Sequence, residues 1–110
     1  MTPRLAPGLL AAAAGLTVAA AGCGGSSPKP PANASPGLRV FDQANCGSCH
    51  TLTAAHAKGK VGKNLDGAKL DAATVEQFVR TGGGGMPSFK DQLTNVQIQQ
   101  VAEYVSQSSQ

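Results

Sequence analysis

Apolar residues recur at helical spacing near the end of the chain. The residues that share one face at i, i+3, i+4 and i+7 are Ile98, Val101, Ala102 and Val105. Thr94 and Gln97 precede this face with the spacing of a capping box. The pattern therefore predicts a final helix that begins just after Thr94.

A second amphipathic segment lies upstream. Val75, Phe78 and Val79 share one face, and Asp71 stands where an N-terminal cap is expected. Gly82 opens a run of four glycines that no helix is expected to cross. The pattern predicts a helix that starts after Asp71 and ends at Gly82.

A third, shorter helix is predicted over Leu38–Asn45, with Ser35-Pro36 as its start signal. No stretch alternates apolar and polar residues for long enough to predict a strand. The segment Thr51–Lys69 is too long for a bare linker in so small a domain, so we expect it to wrap around something. The predicted class is all-α, with three to four short helices and long loops.

An uncharged run, Leu9–Ala21, follows the single positive charge at Arg4. Its thirteen residues match the core of a signal peptide and are too few to span a bilayer as a helix. Small residues then lead to Cys23, an arrangement that resembles the lipobox of bacterial lipoproteins, in which the cysteine carries the lipid. Ordinary signal-peptidase cleavage after Ala21 is the alternative.

These features divide the chain into a lipoprotein-type signal peptide over 1–22, a flexible tether over 23–36 and a folded domain over 37–110. The tether is rich in Gly, Ser and Pro and contains no large apolar residue that could build a core. We expect the domain to be lipid-anchored on the extracytoplasmic face of the plasma membrane. A soluble exported or periplasmic protein is the alternative.

Composition narrows the function classes. Nine Lys+Arg stand against six Asp+Glu without any basic block, which argues against nucleic acid as a partner. There is no Trp, one Tyr and three Phe. A domain with so few large side chains needs a disulfide, a metal or a cofactor to stabilise it.

The run Cys46-Gly-Ser-Cys49-His50 carries the chemistry. C-x-x-C-H is the attachment motif of haem c, in which the two thiols form thioethers and the histidine supplies an axial nitrogen. Three alternatives compete. A thioredoxin-type dithiol requires a βαβ setting, a Cys46–Cys49 disulfide requires no histidine, and zinc requires a second pair of ligands.

Met86 is the candidate for the second axial ligand, because it lies in a loop flanked by Gly and Pro and not on a helix face. A core methionine that fills a packing gap is the alternative. His56 is the rival ligand, and we expect it to be exposed to solvent.

Together these motifs resemble the class I, mono-haem c-type cytochromes, and most of all the small membrane-tethered lipoprotein cytochromes c of Gram-positive bacteria. The resemblance covers about 37–106 and depends on Val40-Phe41, Cys46–Leu52, Val61–Gly67, Gly85–Phe89 and Ile98–Val105. It implies a cytochrome c fold wrapped around one covalent haem c.

The resemblance also implies two local features. The first and last helices cross near Phe41 and Tyr104, and the residue after Gly62 offers its backbone carbonyl to the ring of His50. This chain has Lys63 where the family usually has proline. The candidate donors to the haem propionates are Lys60, Asn64 and Lys90.

An iron held by both His50 and Met86 has no open position for a substrate, so the expected function is one-electron transfer and not catalysis. The resemblance implies a monomer in a respiratory or photosynthetic chain, with a quinol-oxidising complex as donor and a terminal oxidase or another reductase as acceptor. The residues that either steer an acidic partner or remain solvated loop charges are Lys58, Lys60, Lys63 and Lys90. The alternatives are a haem-based ligand sensor or peroxidase-like enzyme with an open sixth site, and a redox-dithiol domain without haem.

Overall fold

The computed structural model describes residues 34–110, in which three helices surround a minimal pair of strands. The elements are α1 (Pro36–Gln43), β1 (Thr51–Leu52), β2 (Ala57–Lys58), α2 (Ala72–Thr81) and α3 (Asn95–Ser108). No helix in this part of the chain is both long and apolar enough to cross a membrane. The all-α prediction is confirmed, whereas the predicted signal peptide and Cys23 lie outside the described residues.

Helix α1 begins two residues earlier than the pattern predicts. The Ser35 side chain accepts a hydrogen bond from the Leu38 N–H at 3.3 Å, and Pro36 occupies the first turn. Proline is tolerated there because its missing N–H would have no helical partner. The helix ends before Asn45, which adopts a left-handed conformation at φ 58°.

The predicted caps of the other helices are confirmed. The Asp71 carboxylate accepts the Thr74 N–H at 2.9 Å, and α2 ends at Gly82, whose φ is 69°. At α3, Thr94 and Gln97 form a complete capping box with bonds of 2.9 and 3.1 Å. Each helix start is therefore determined by hydrogen bonds over three residues of sequence.

Helices α1 and α3 cross at a very close contact. A Cβ added to Gly37 would clash with the Tyr104 Cβ and with the Gln100 carbonyl oxygen. Beside this point the rings of Phe41 and Tyr104 meet edge to face, with centroids 6.0 Å apart. The crossing that the family resemblance implies is present, and it depends on a glycine in α1.

The apolar core joins all three helices to the strand pair. Phe41, Leu52, Ile98 and Val101 are almost completely buried. From the predicted apolar face of α2, Val75 and Val79 are buried, but Phe78 is 54% exposed. The predicted apolar face is therefore confirmed for Val75 and Val79, whereas Phe78 does not pack into the helical core.

The strand pair departs from the sequence prediction. Thr51 pairs with Lys58 and Leu52 with Ala57 in antiparallel register. A 3-10 turn over Thr53–Ala55 and a left-handed His56 at φ 53° connect the strands. Two-residue strands are too short to show alternation, which is why the pattern did not reveal them.

The end of α3 holds the chain just before α2. Ser109 is fully buried, and its carbonyl accepts the Lys69 N–H at 2.7 Å. Its hydroxyl accepts the Leu70 N–H at 3.1 Å. Ser109 therefore fixes the position of Leu70 at the start of the segment that leads into α2.

The Gly37 contact predicts that Gly37→Ala will lower the free energy of unfolding by about 1–3 kcal/mol through overpacking. Alanine is the better helix former, so a loss can only come from the contact with α3. Denaturant titration of the haem-loaded protein measures the change.

Gln43→Ala, at an exposed position of the same helix, is the control and is expected to change stability by no more than about 0.5 kcal/mol. A Gly37→Ala variant as stable as this control would contradict the close packing of α1 on α3.

Candidate haem-binding site

The C-x-x-C-H motif occupies a single tight turn. Residues Cys46–Ser48 form a 3-10 turn that starts after the left-handed Asn45. The Cys46 carbonyl accepts the N–H of Cys49 at 3.2 Å and the N–H of His50 at 3.0 Å. The turn therefore brings two thiols and one imidazole together within five residues.

Cys46 and Cys49 are free thiols, and both are partly buried. Burial raises the pKa of the Cys46 thiol to about 11, and the negative charge of Asp42 acts in the same direction. The structure places the pair beside a cavity and does not join them as a disulfide.

The His50 ring is oriented by a residue from a separate loop. Its Nδ1 lies 2.7 Å from the backbone carbonyl oxygen of Lys63. Because a carbonyl can only accept, Nδ1 carries the proton and Nε2 keeps the lone pair that can bind a metal. The bond implied by the family resemblance is confirmed, and the lysine provides it through the main chain.

The loop that holds His50 is itself tied to the motif. The Gly62 N–H donates to the Cys49 carbonyl at 2.7 Å, and the Gly59 N–H donates to the carbonyls of Gly47 and His50 at 3.1 and 3.2 Å. The Thr51 hydroxyl donates to the Gly59 carbonyl at 2.8 Å. These hydrogen bonds tie the loop that carries Lys63 to the segment that carries His50.

The Asp66 carboxylate stabilises the same loop a few residues further along the chain. Asp66 accepts the Thr53 N–H at 2.8 Å and the Thr53 hydroxyl at 2.7 Å. These two bonds, from the backbone and then the side chain, lower the pKa of Asp66. The Thr53–Asp66 pair was not predicted, and thirteen residues of separation leave no local signal for it.

Met86 is presented by a glycine hairpin. Gly83 and Met86 exchange two backbone hydrogen bonds of 2.9 and 3.0 Å. Gly84 and Gly85 form the tip with φ of 58° and 92°, values that favour glycine. A Cβ on Gly82 would lie 2.6 Å from the Met86 carbonyl oxygen, so the returning strand passes directly over that glycine.

Two further bonds attach the residues after Met86 to helix α2. The Ser88 hydroxyl donates to the Arg80 carbonyl at 2.7 Å, and the Phe89 N–H donates to the Val79 carbonyl at 2.9 Å. The Met86 segment is thus bonded to the last turn of α2.

The motif turn, the His50 loop and the Met86 hairpin surround one cavity of about 560 Å³, within the usual range for cofactor sites. Cys46, Cys49, His50 and Met86 all line it. Its apolar wall includes Phe41, Leu65, Leu70, Val75, Phe78, Val79, Phe89, Val101 and Val105. Two thiols, an imidazole and a thioether around an apolar space fit a covalent haem with two axial ligands.

Several other predicted residues lie away from this cavity. His56 is exposed, as expected, and is not among the lining residues. Lys60, Asn64 and Lys90, the candidate propionate donors, are exposed and do not line it either, and the Asn64 side chain accepts the Asp66 N–H at 2.9 Å. Of the four lysines that were considered for steering a partner, Lys63 is the one that lines the cavity.

Comparison with known proteins agrees with this geometry. A family model described as "Cytochrome C oxidase, cbb3-type, subunit III" matches residues 32–105. Cytochrome c6 of Leptolyngbya boryana is 39% identical over 79 residues, which cover 67% of this chain and 91% of that protein. Cytochrome c6 of Picosynechococcus sp. is 32% identical over 106 residues, which cover 86% of this chain and 90% of that protein.

A solved structure is also similar. The c-type cytochrome SorU from Sinorhizobium meliloti is 42% identical with a TM-score of 0.63, and the match covers 67% of this chain and 87% of that chain. The fold and the site thus define a c-type cytochrome.

The chain belongs to the cytochrome c family, within the group matched by the cbb3-type subunit III model. Its cofactor is covalent haem c, for which Cys46 and Cys49 supply the attachment motif, and its general function is electron transfer. The finer resemblance to lipoprotein cytochromes of Gram-positive bacteria stays a prediction.

The Thr53–Asp66 pair predicts an acid-dependent contribution to stability. Because the pKa of Asp66 is lowered in the folded protein, its contribution is complete above the ordinary pKa of 3.8 and is lost as the pH falls through the folded value. Asp66→Asn is expected to remove this part of the acid sensitivity. Thermal unfolding of the oxidised holoprotein between about pH 3 and pH 6 measures it.

Asp91→Asn, which neutralises an exposed carboxylate elsewhere, is the matched control. It is expected to keep the acid dependence of the wild type. Equal acid dependence in both variants would contradict a stabilising role for the Asp66 carboxylate.

Proposed function

We propose that this cytochrome carries single electrons through a haem c ligated by His50 and Met86, with thioether bonds to Cys46 and Cys49, in a respiratory chain. The observation that carries the proposal is that all four side chains line one cavity although they come from two separate loops. When bound, haem c supplies a metal that alternates between two oxidation states.

The protein's own residues account for the two axial positions. The Nδ1–H bond to Lys63 leaves the Nε2 lone pair of His50 available and makes the ring a better donor. Met86 offers a neutral thioether, which favours the reduced state and raises the potential. With both positions filled by side chains, the site has no place for a substrate, and we infer that the protein is not an enzyme.

The fixed loops suit this task. The Met86 hairpin is bonded to itself and to α2, and the His50 ring is bonded to a loop that is tied back to the motif. Ligands held in this way change position little when the charge of the site changes. Orientation and electrostatics are the contributions that a protein makes to a redox cofactor.

The positive charge of one loop at the cavity favours a redox partner with an acidic surface. Lys58, Lys60 and Lys63 are all exposed, and Val61 between them is 86% exposed. No carboxylate lies within 57–65. A local positive field of this kind accelerates a weak, short-lived encounter with an acidic surface.

The partner classes follow from the redox role. We propose a quinol-oxidising complex as donor and a terminal oxidase or another reductase as acceptor. The description of the matching family as a cytochrome c oxidase subunit supports the respiratory assignment. The similarity to cytochrome c6 of photosynthetic organisms keeps a photosynthetic chain as the alternative.

We also propose that Cys23 carries a lipid and anchors the protein on the extracytoplasmic face of the plasma membrane. The support is in the sequence alone, where Cys23 follows Ala20-Ala21-Gly22 and precedes a segment rich in Gly, Ser and Pro. Each buried methylene of an acyl chain contributes about 0.8 kcal/mol, so two or three chains would hold the protein on the membrane.

Met86→Ala tests the ligand assignment. It is expected to open the sixth position, allow carbon monoxide to bind the ferrous protein, and lower the midpoint potential by on the order of 100 mV within the ~0.8 V that axial ligands span. Loss of the far-red methionine–iron band of the oxidised protein measures the ligand directly, and potentiometry measures the shift.

The matched control is His56→Ala, which removes an exposed histidine that does not line the cavity. It is expected to behave as the wild type in all three measurements. Carbon monoxide binding by the wild type would favour a ligand sensor, and an unchanged Met86→Ala spectrum would overturn the assignment of Met86.

Cys23→Ala tests the anchor. The wild-type protein is expected to partition into detergent with the mass of an acylated chain, and the variant is expected to lose both properties. The visible spectrum of the haem domain is expected to stay the same in both. A wild-type protein that lacks acyl groups and is recovered in the aqueous phase would contradict the lipid anchor and indicate a soluble exported cytochrome.

A further inference from the structure

Gly62 lies against the ring of His50 with no room for a side chain. A Cβ built on Gly62 would lie 2.8 Å from the His50 Cε1 and 3.1 Å from its Nδ1. It would also lie 3.3 Å from the Cys49 carbonyl oxygen. The first distance is shorter than real Cβ contacts, so the ring or the loop must move when any other residue stands here.

The backbone conformation of Gly62 does not itself require glycine. Among residues 34–110, the glycines with positive φ are Gly67, Gly82, Gly83, Gly84 and Gly85, and Gly62 is not one of them. The absence of a side chain is therefore needed for the close approach to the imidazole. This separates Gly62 from the glycines of the Met86 hairpin, which are needed for their conformation.

Gly62 also connects the two bonds that fix the ring. Its own N–H donates to the Cys49 carbonyl at 2.7 Å, and the next residue, Lys63, accepts the Nδ1–H of His50 at 2.7 Å. The ring therefore has hydrogen-bonded backbone on its Nδ1 side and the bare Cα of Gly62 close to the same edge. A shift of the Gly62 backbone therefore also moves the Lys63 carbonyl and changes its hydrogen bond to the His50 ring.

We propose that Gly62 is a positioning residue that sets the orientation of the His50 imidazole and the strength of its bond to Lys63. The inference rests on the proposed function, in which the His50 Nε2 binds the iron. A strong Nδ1–H bond makes the imidazole a better donor and stabilises the oxidised state. Gly62, which itself lines the cavity, thereby acts on the redox potential through His50.

Gly62→Ala in the haem-loaded protein is the test. The added methyl group is expected to push the loop from the ring and weaken the Nδ1–H bond to Lys63. Proton exchange at Nδ1, followed by NMR, is expected to accelerate about fivefold, the factor that corresponds to the loss of about 1 kcal/mol of hydrogen bonding. The midpoint potential is expected to rise.

Gly59→Ala is the matched control within the same loop. A Cβ at Gly59 would meet the Cys49 backbone at 2.6 Å and the Gly47 carbonyl oxygen at 2.7 Å, and no atom of the His50 ring is among these nearest contacts. It is expected to destabilise the protein with little change in Nδ1 exchange or potential. Equal effects of both variants on these two readouts would reduce Gly62 to a packing residue and overturn the proposal.

A second variant covers the case in which Gly62→Ala does not retain haem. Adding Val61→Gly loosens the exposed neighbour, so that the loop can move away from the ring. The faster exchange and higher potential are expected to persist in this double variant. Failure of both variants to hold haem, or retention of haem with wild-type exchange, would overturn the proposal.

The wild-type spectrum separates this inference from the proposed function. If the wild type shows no paramagnetically shifted His50 signals, the assignment of His50 as a ligand fails and this inference fails with it. If those signals are present and Gly62→Ala leaves exchange and potential unchanged, the positioning role alone fails.

Discussion

The domain is built around an apolar cavity that its own side chains leave open. All three helices contribute to the wall, yet Phe78 is 54% exposed and Val61 at the edge is 86% exposed. A domain with no Trp and few aromatic rings cannot close such a space alone. Covalent haem c supplies apolar surface at this cavity, and a cofactor that is bound in the folded state stabilises that state.

The two sides of the cavity are secured by different physical means. On the His50 side, a polar loop is folded back by main-chain hydrogen bonds, and its tightest points are glycines that lack room for a Cβ. On the Met86 side, a glycine hairpin with positive φ turns the chain, and bonds from Ser88 and Phe89 attach it to α2. Both arrangements place the ligands largely through backbone geometry. That explains how Lys63 can stand where the family usually has proline, because only its carbonyl is used.

The features that could be predicted from the sequence are those with a local physical cause. Helix caps at Asp71 and Thr94 are bonds across three residues, and the apolar faces of α2 and α3 follow the helical repeat. The C-x-x-C-H motif is local as well, since one turn places Cys46, Cys49 and His50 together. The start signal at Ser35-Pro36 is local too, although the first helical residue is Pro36 and not Leu38.

Other features were decided by tertiary structure, since they join segments that are distant along the chain. Thr53 and Asp66 are thirteen residues apart, and Leu70 and Ser109 are thirty-nine apart, so neither pair has a sequence pattern. In the sequence, nothing distinguishes Gly37 and Gly62 from the other glycines. Their lack of a side chain matters because the fold brings Tyr104 and His50 against them. The sequence by itself determined the type of cofactor and where α2 and α3 begin, because each depends on neighbouring residues. How the ligand loops are held was determined only in three dimensions, where hydrogen bonds and steric contacts form between residues that the chain keeps apart.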